Sequence, residues 1–114
     1  MRVIYIAGAF TAPDRWQLEA NVRRAEEAAL DVATHGGVPL CPHAMYRNYD
    51  GTRTAAYWYE ATEELLRRCD AILLLEGWEE SKGSVAEKKL AEQLGLPVFF
   101  DQFSYVPLAD WIVS

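Results

Sequence analysis

Only two of the 114 residues are cysteines, Cys41 and Cys69, and two isolated cysteines make no disulfide framework. Reduced, buried thiols are the expected state. Basic residues are also scarce: 11 Lys and Arg face 17 Asp and Glu, a formal charge of −6. A surface for DNA or RNA is thereby excluded as an expectation, because affinity for a polyphosphate depends on neutralising many phosphates with cations. A single small anion remains compatible, since a helix N-terminus holds one phosphate without a basic patch. No apolar run approaches the roughly 20 residues of a membrane span. The opening Met1-Arg2-Val3-Ile4-Tyr5-Ile6-Ala7-Gly8 is too short for a signal peptide and has no cleavage pattern, so a cytoplasmic protein free of membrane is expected. Gly-x-Gly-x-x-Gly fingerprints, P-loops and Gly-x-Ser-x-Gly elbows are all missing.

What is present is apolar content, 51% of residues, enough to exclude disorder and to fill one domain over residues 1–114. Val3 to Ala7 is a short β-branched run that reads as a strand buried on both faces. Asp14 and Gln17 then resemble a capping box before Leu18, Val22, Ala25, Ala29 and Val32, spaced at helical intervals until Gly36-Gly37. Val38 to Cys41 is a short strand weakened by Pro39 and Pro42, and residues 43–53 read as a polar and aromatic loop without period. A helix from Thr54 to Arg68 leads into the strongest strand, Asp70 to Glu76. Gly77 to Gly83 is a second polar loop, followed by a helix from Ser84 to Leu94 and a strand from Leu96 to Phe100. The tail from Asp101 carries Phe103, Tyr105, Leu108, Trp111 and Ile112, so it either meets a partner copy or folds back on its own sheet.

Strands alternating with helices imply right-handed crossovers and a parallel sheet covered on both faces. The expected class is α/β, a flavodoxin-like three-layer sandwich with a parallel four- or five-stranded sheet in the order 2-1-3-4. Ligands bind such sheets beyond the carboxyl ends of the strands where the winding reverses, here at the loops beginning with Gly8 and Gly77.

Ser84-x-x-Glu87 opens a helix at that edge. At about 100° per residue, Leu90, Ala91 and Leu94 fall on the side of Glu87, so this carboxylate heads an apolar stripe. A carboxylate facing a sheet is either hydrogen-bonded or used. Its bland role is a capping box in which Glu87 reaches back to the N-cap amide at Ser84. Tyr5 is in the first strand, and its phenol approaches Glu87 if the first and third strands are neighbours; otherwise it is an ordinary core tyrosine. Cys41, His43 and Cys69 match no common zinc spacing, and no metal is expected. Trp78 either stacks on a base or covers the sheet edge.

Taken in order, Tyr5-Ile-Ala-Gly8-Ala9-Phe10, Pro42-His43, Cys69-Asp70, Gly83-Ser84-x-x-Glu87, Ala91 and Gly95-x-Pro97-Val98 resemble the nucleoside 2-deoxyribosyltransferase superfamily, in particular its small phage and bacterial branch. The resemblance spans roughly residues 3–100. It implies a retaining glycosyl transfer in which Glu87 attacks the anomeric carbon of a deoxyribose and Tyr5 orients it, through a covalent glycosyl-enzyme and with no cofactor. The resemblance places Gly8, Ala9, Phe10, His43, Ser81, Gly83 and Ser84 around a nucleoside or nucleotide, with Trp78 added from its place in the Gly77 loop. Ser81 matches a phosphate-contacting serine of the related monophosphate hydrolases. Thr62 stands where the family has an aspartate that assists the leaving base; Glu63 is adjacent but turned by about 100° on a helix. Two functions are therefore carried forward: N-glycosidic cleavage or deoxyribosyl transfer, and a nucleotide-binding module that kept the pocket without the chemistry. The family also implies a homodimer or larger homo-oligomer.

Overall fold

The computed structural model describes residues 1–49, 51–102 and 106–114. Four parallel strands, β1 (Val3–Ala7), β2 (Val38–Leu40), β3 (Ala71–Leu74) and β4 (Val98–Phe100), form one sheet in the order β2-β1-β3-β4. The helices are α1 (Arg15–Thr34), α2 (Pro42–Tyr46), α3 (Ala55–Arg67), α4 (Lys82–Gln93) and α5 (Val106–Val113), with a 3-10 turn at Trp78–Glu80. This is the flavodoxin-like three-layer α/β sandwich, with four strands. No helix among the described residues is long and apolar enough to cross a membrane.

The two-residue period of a strand sorts the core into two halves. Ile4 and Ile6 pack with Ala25, Ala28 and Val32 of α1, with Leu73, and with Leu108 of α5. Tyr5 and Ala7 face the other way, packing with Leu66 of α3, Ile72, Leu74 and Ala91 of α4. That alternation alone sends the Tyr5 side chain into the layer that holds α3 and α4. The tail folds back: Leu108 is buried, and Trp111 and Ile112 pack against the α1 side. Of the tail's other apolar residues, Phe103 and Tyr105 lie outside the described residues.

Local chemistry sets most boundaries. Asp14 caps α1 by accepting the amide hydrogen bond of Gln17 at 2.8 Å, and Thr54 caps α3 by accepting from Tyr57. Three expectations need correction. Residues 43–53 are not all loop: Pro42, pre-set for the first helical position, starts the short helix α2, while Asp50 lies outside the described residues. The strands β2, β3 and β4 are shorter than their expected runs: those of β2 and β3 continue past the last ladder pair, and Leu96 and Pro97 precede the first pair of β4. The helix α4 begins at Lys82, not Ser84, because Ser81 supplies the cap.

Candidate functional site

The site is built where β1 and β3 end side by side. Tyr5 pairs with Ile72 across the ladder, and after Ala7 the two chains diverge, β1 into the 8–14 loop and β3 into the 3-10 turn. Gly8 is required at this point: a Cβ there would lie 2.9 Å from Leu75 Cδ1 and 3.0 Å from Leu75 Cβ. The absence of a side chain lets the two strand ends stay in contact, which holds their loops together.

Ser81 Oγ accepts the amide hydrogen bond of Ser84 at 3.2 Å. Ser84 is therefore inside the first turn of α4, and the Ser84–Glu87 capping box does not form. Both serines precede helix-forming residues and are candidate caps, and the upstream one, Ser81, takes the role by accepting from the Ser84 amide. Freed from capping, Glu87 turns into the α3/α4 layer and accepts a hydrogen bond from the Tyr5 phenol through Oε2. The Thr62 hydroxyl lies beside the same phenol and donates back to the Trp58 and Tyr59 carbonyls at 3.0 and 3.1 Å.

Burial pushes the Glu87 carboxyl from its ordinary 4.5 up to about 7, with the Tyr5 hydrogen bond working against the rise and the charge of Glu63 adding to it. Burial, and after it the charge and hydrogen bonding of Glu87, hold the Tyr5 phenol well above its ordinary value. Tyr5 is thus a fixed proton donor, and Glu87 is a carboxylate that titrates near neutrality, as reacting carboxyls do.

His43 is buried and its Nε2 lies 3.0 Å from the Ala9 carbonyl. A carbonyl only accepts, so Nε2 carries the hydrogen. Burial lowers the pKa of the ring, keeping it neutral, and Nδ1 is left as a hydrogen-bond acceptor. Phe10 meets the same imidazole edge-on at 5.5 Å, and Asn21 donates to the Phe10 carbonyl at 3.2 Å. The 8–14 loop is accordingly pinned from α1 and α2. Trp78 sits at the sheet edge with its ring 5.9 Å from Phe100 and Lys88 Nζ 5.5 Å above it. Of the two roles open to Trp78, this packing is the edge-covering one.

Among the described residues, three buried side-chain atoms lack a hydrogen-bond partner: His43 Nδ1, Ser84 Oγ and Trp58 Nε1. An unpaired buried polar group costs about 1–3 kcal/mol, so such atoms mark places where a ligand's polar groups are welcome. Ser84 is 1% exposed and lies one turn before Glu87 on the same helix. A shallow depression lined by Glu79, Glu80, Lys82 and Lys89 also exists, but it lies on the outer side of α4 and does not include Glu87. Burial raises the pKa of Cys41 and takes Cys69 up to about 11, so both thiols are inert. Among the described residues no group of three His, Cys, Asp or Glu is placed to hold a metal ion.

Sequence reasoning missed Tyr59 and set Glu63 aside. A Cβ on Gly83 would lie 3.5 Å from Tyr59 Cε1, so the Tyr59 ring covers the start of α4. Glu63, one helical turn later, is the residue whose charge reaches Glu87. Their four-residue spacing, matching that of Gly83 and Glu87, was the available signal.

No curated protein shows significant similarity to the chain. The family described as Domain of unknown function (DUF4406) matches residues 2–100, and the chain belongs to that family.

Proposed function

We propose that the protein breaks the N-glycosidic bond of a deoxyribonucleoside or its 5′-monophosphate, with Glu87 as nucleophile and Tyr5 as its orienting partner. The observation that carries this reading is the inward Glu87 carboxylate, bound by the phenol of Tyr5, which stands at the middle of β1 beside Ile72 of β3. A carboxylate nucleophile attacks the anomeric carbon, the base departs, and the glycosyl ester is then opened by water or by a second base. Tyr5 aims one lone pair of Glu87 and stabilises its ionised form. The resemblance to nucleoside 2-deoxyribosyltransferases in the ordered motifs from Tyr5 to Val98 supports the same roles.

A phosphate on the substrate would meet the N-terminus of α4. The Ser81 hydroxyl, the orphaned Ser84 hydroxyl and the first-turn amides offer donors there, and Lys82 is the first residue of the helix. His43 Nδ1, an acceptor, suits a hydroxyl of the sugar. A second reading, a nucleotide-binding module without turnover, is favoured by Thr62 at the position where the resemblance calls for an acid. The chain acts as a small-molecule protein in either case, and no organic cofactor enters the scheme.

Incubation with deoxynucleosides and their 5′-monophosphates separates the two. Release or exchange of free base, abolished in Glu87→Gln, is the result expected. Nucleotide-dependent thermal stabilisation with no product would instead establish the binding module.

A further inference from the structure

The outer face of α1 is not the uniformly polar surface expected of a helix that covers a sheet. At about 100° per residue, Trp16, Ala20, Arg23, Glu27, Leu30 and Thr34 fall within about 40° of the direction opposite to the buried stripe of Leu18, Val22, Ala25 and Val32. All six are exposed, Trp16 by 86% and Leu30 by 68%. They recur at alternating steps of four and three residues, the spacing of a coiled-coil seam, over about 27 Å of helix. The tail beyond β4 does not supply such a surface, because Leu108, Trp111 and Ile112 pack into the chain's own core.

Exposed apolar side chains taken singly need no explanation, but the order of these six does. Laid antiparallel on a second copy, with the two-fold axis level with Ala25, the stripe is complementary to itself. Trp16 meets the partner's Thr34, Ala20 meets the partner's Leu30, and Arg23 meets the partner's Glu27; the symmetry then repeats each layer. Each apolar layer sets a large side chain on a small one, and each central layer sets a cation on a carboxylate. A parallel pairing would instead stack Arg23 on its own copy and Glu27 on its own copy, which like-charge repulsion disfavours.

We propose that this face of α1 binds a second copy of the chain as an antiparallel helix pair, oriented by two Arg23–Glu27 ion pairs. Within one chain Arg23 Nε and Glu27 Oε1 are 3.9 Å apart, with both side chains in water, so a closer partner is readily accepted. The neighbouring charges are already engaged: Glu19 and Glu26 by Arg47, and Arg24 by Asp101 at 2.8 Å. Orientation therefore rests on Arg23 and Glu27, while Trp16 and Leu30 provide the apolar area removed from water. The inference is independent of the glycosidic reading, since α1 and Glu87 lie on opposite sides of the sheet.

One helix face gives an interface of the small, reversible class, so the full chain is followed by sedimentation equilibrium from about 10 to about 500 µM. The wild type is expected to pass from monomer to dimer across this range. Arg23→Glu and Glu27→Arg each place like charges in both central layers and should weaken self-association at least about 100-fold. An equimolar mixture of the two variants again pairs opposite charges in every central layer, so it should form the heterodimer, and that recovery also shows that both variants fold. A wild type that stays monomeric throughout, or an assembly that withstands both single substitutions, would overturn the proposal. So would a mixture that remains monomeric although thermal midpoints show both variants folded.

Discussion

Glu87→Gln is expected to stabilise the fold, by an amount that grows with pH. Below its ordinary value of 4.5 the carboxyl is protonated in both folded and unfolded chains, and the substitution changes little. Between 4.5 and about 7 the unfolded chain has released the proton while the native protein retains it. The native state then binds more protons, so wild-type stability falls as pH rises through this window. Above about 7 the whole cost of holding the buried carboxylate is present. At about 1.4 kcal/mol for each tenfold change in proton affinity, that cost is about 3 kcal/mol. Glutamine keeps an oxygen to accept the Tyr5 hydrogen bond and never ionises, so it recovers most of this. For a domain of this size the thermal midpoint should exceed that of the wild type by about 10 °C at high pH. Thermal melts of both proteins from about pH 5 to about pH 8.5 read the difference directly. A difference that stays flat across this range, or that favours the wild type as pH rises, would refute the placement of Glu87 as a buried, uncompensated carboxyl.

Tyr5→Phe removes the hydrogen bond that opposes the rise of Glu87, so the acid limb of the activity profile should move to higher pH and the rate should fall about 10- to 100-fold, read from initial rates across pH. An unmoved acid limb would argue that the phenol is only core packing. Ser84→Ala removes a buried hydroxyl that has no partner, so stability should change by less than about 1 kcal/mol while the thermal shift induced by nucleotide shrinks. Loss of stability with the ligand shift intact would make Ser84 structural.

The two ends of the central chemistry, Tyr5 and Glu87, were legible because each follows from a period. Alternation along β1 sends Tyr5 opposite to Ile4 and Ile6, and the helical period sends Glu87 along the stripe of Leu90 and Ala91. The order β2-β1-β3-β4 is the flavodoxin-like order preferred for a chain of alternating strands and helices, and crossover handedness allows more than one order. Which serine caps α4 was not legible, since Ser81 and Ser84 offer equivalent hydroxyls three residues apart and only the folded loop decides. Nor was Glu63. Counting 100° from Thr62 turns its side chain away from the sheet, but sequence does not reveal that α4 packs along that side. Trp78 was ambiguous for a related reason: its neighbours Phe100 and Lys88 come from later in the chain.

The most direct test of the account is covalent. A 2′-deoxy-2′-fluoroarabinosyl nucleoside forms a glycosyl-enzyme whose breakdown the fluorine slows, so the intermediate accumulates. Intact-mass and peptide measurements should find one fluorinated pentosyl group on the peptide carrying Glu87, and none in Glu87→Gln. Base release without an adduct at Glu87, or an adduct on any other residue, would contradict the central claim.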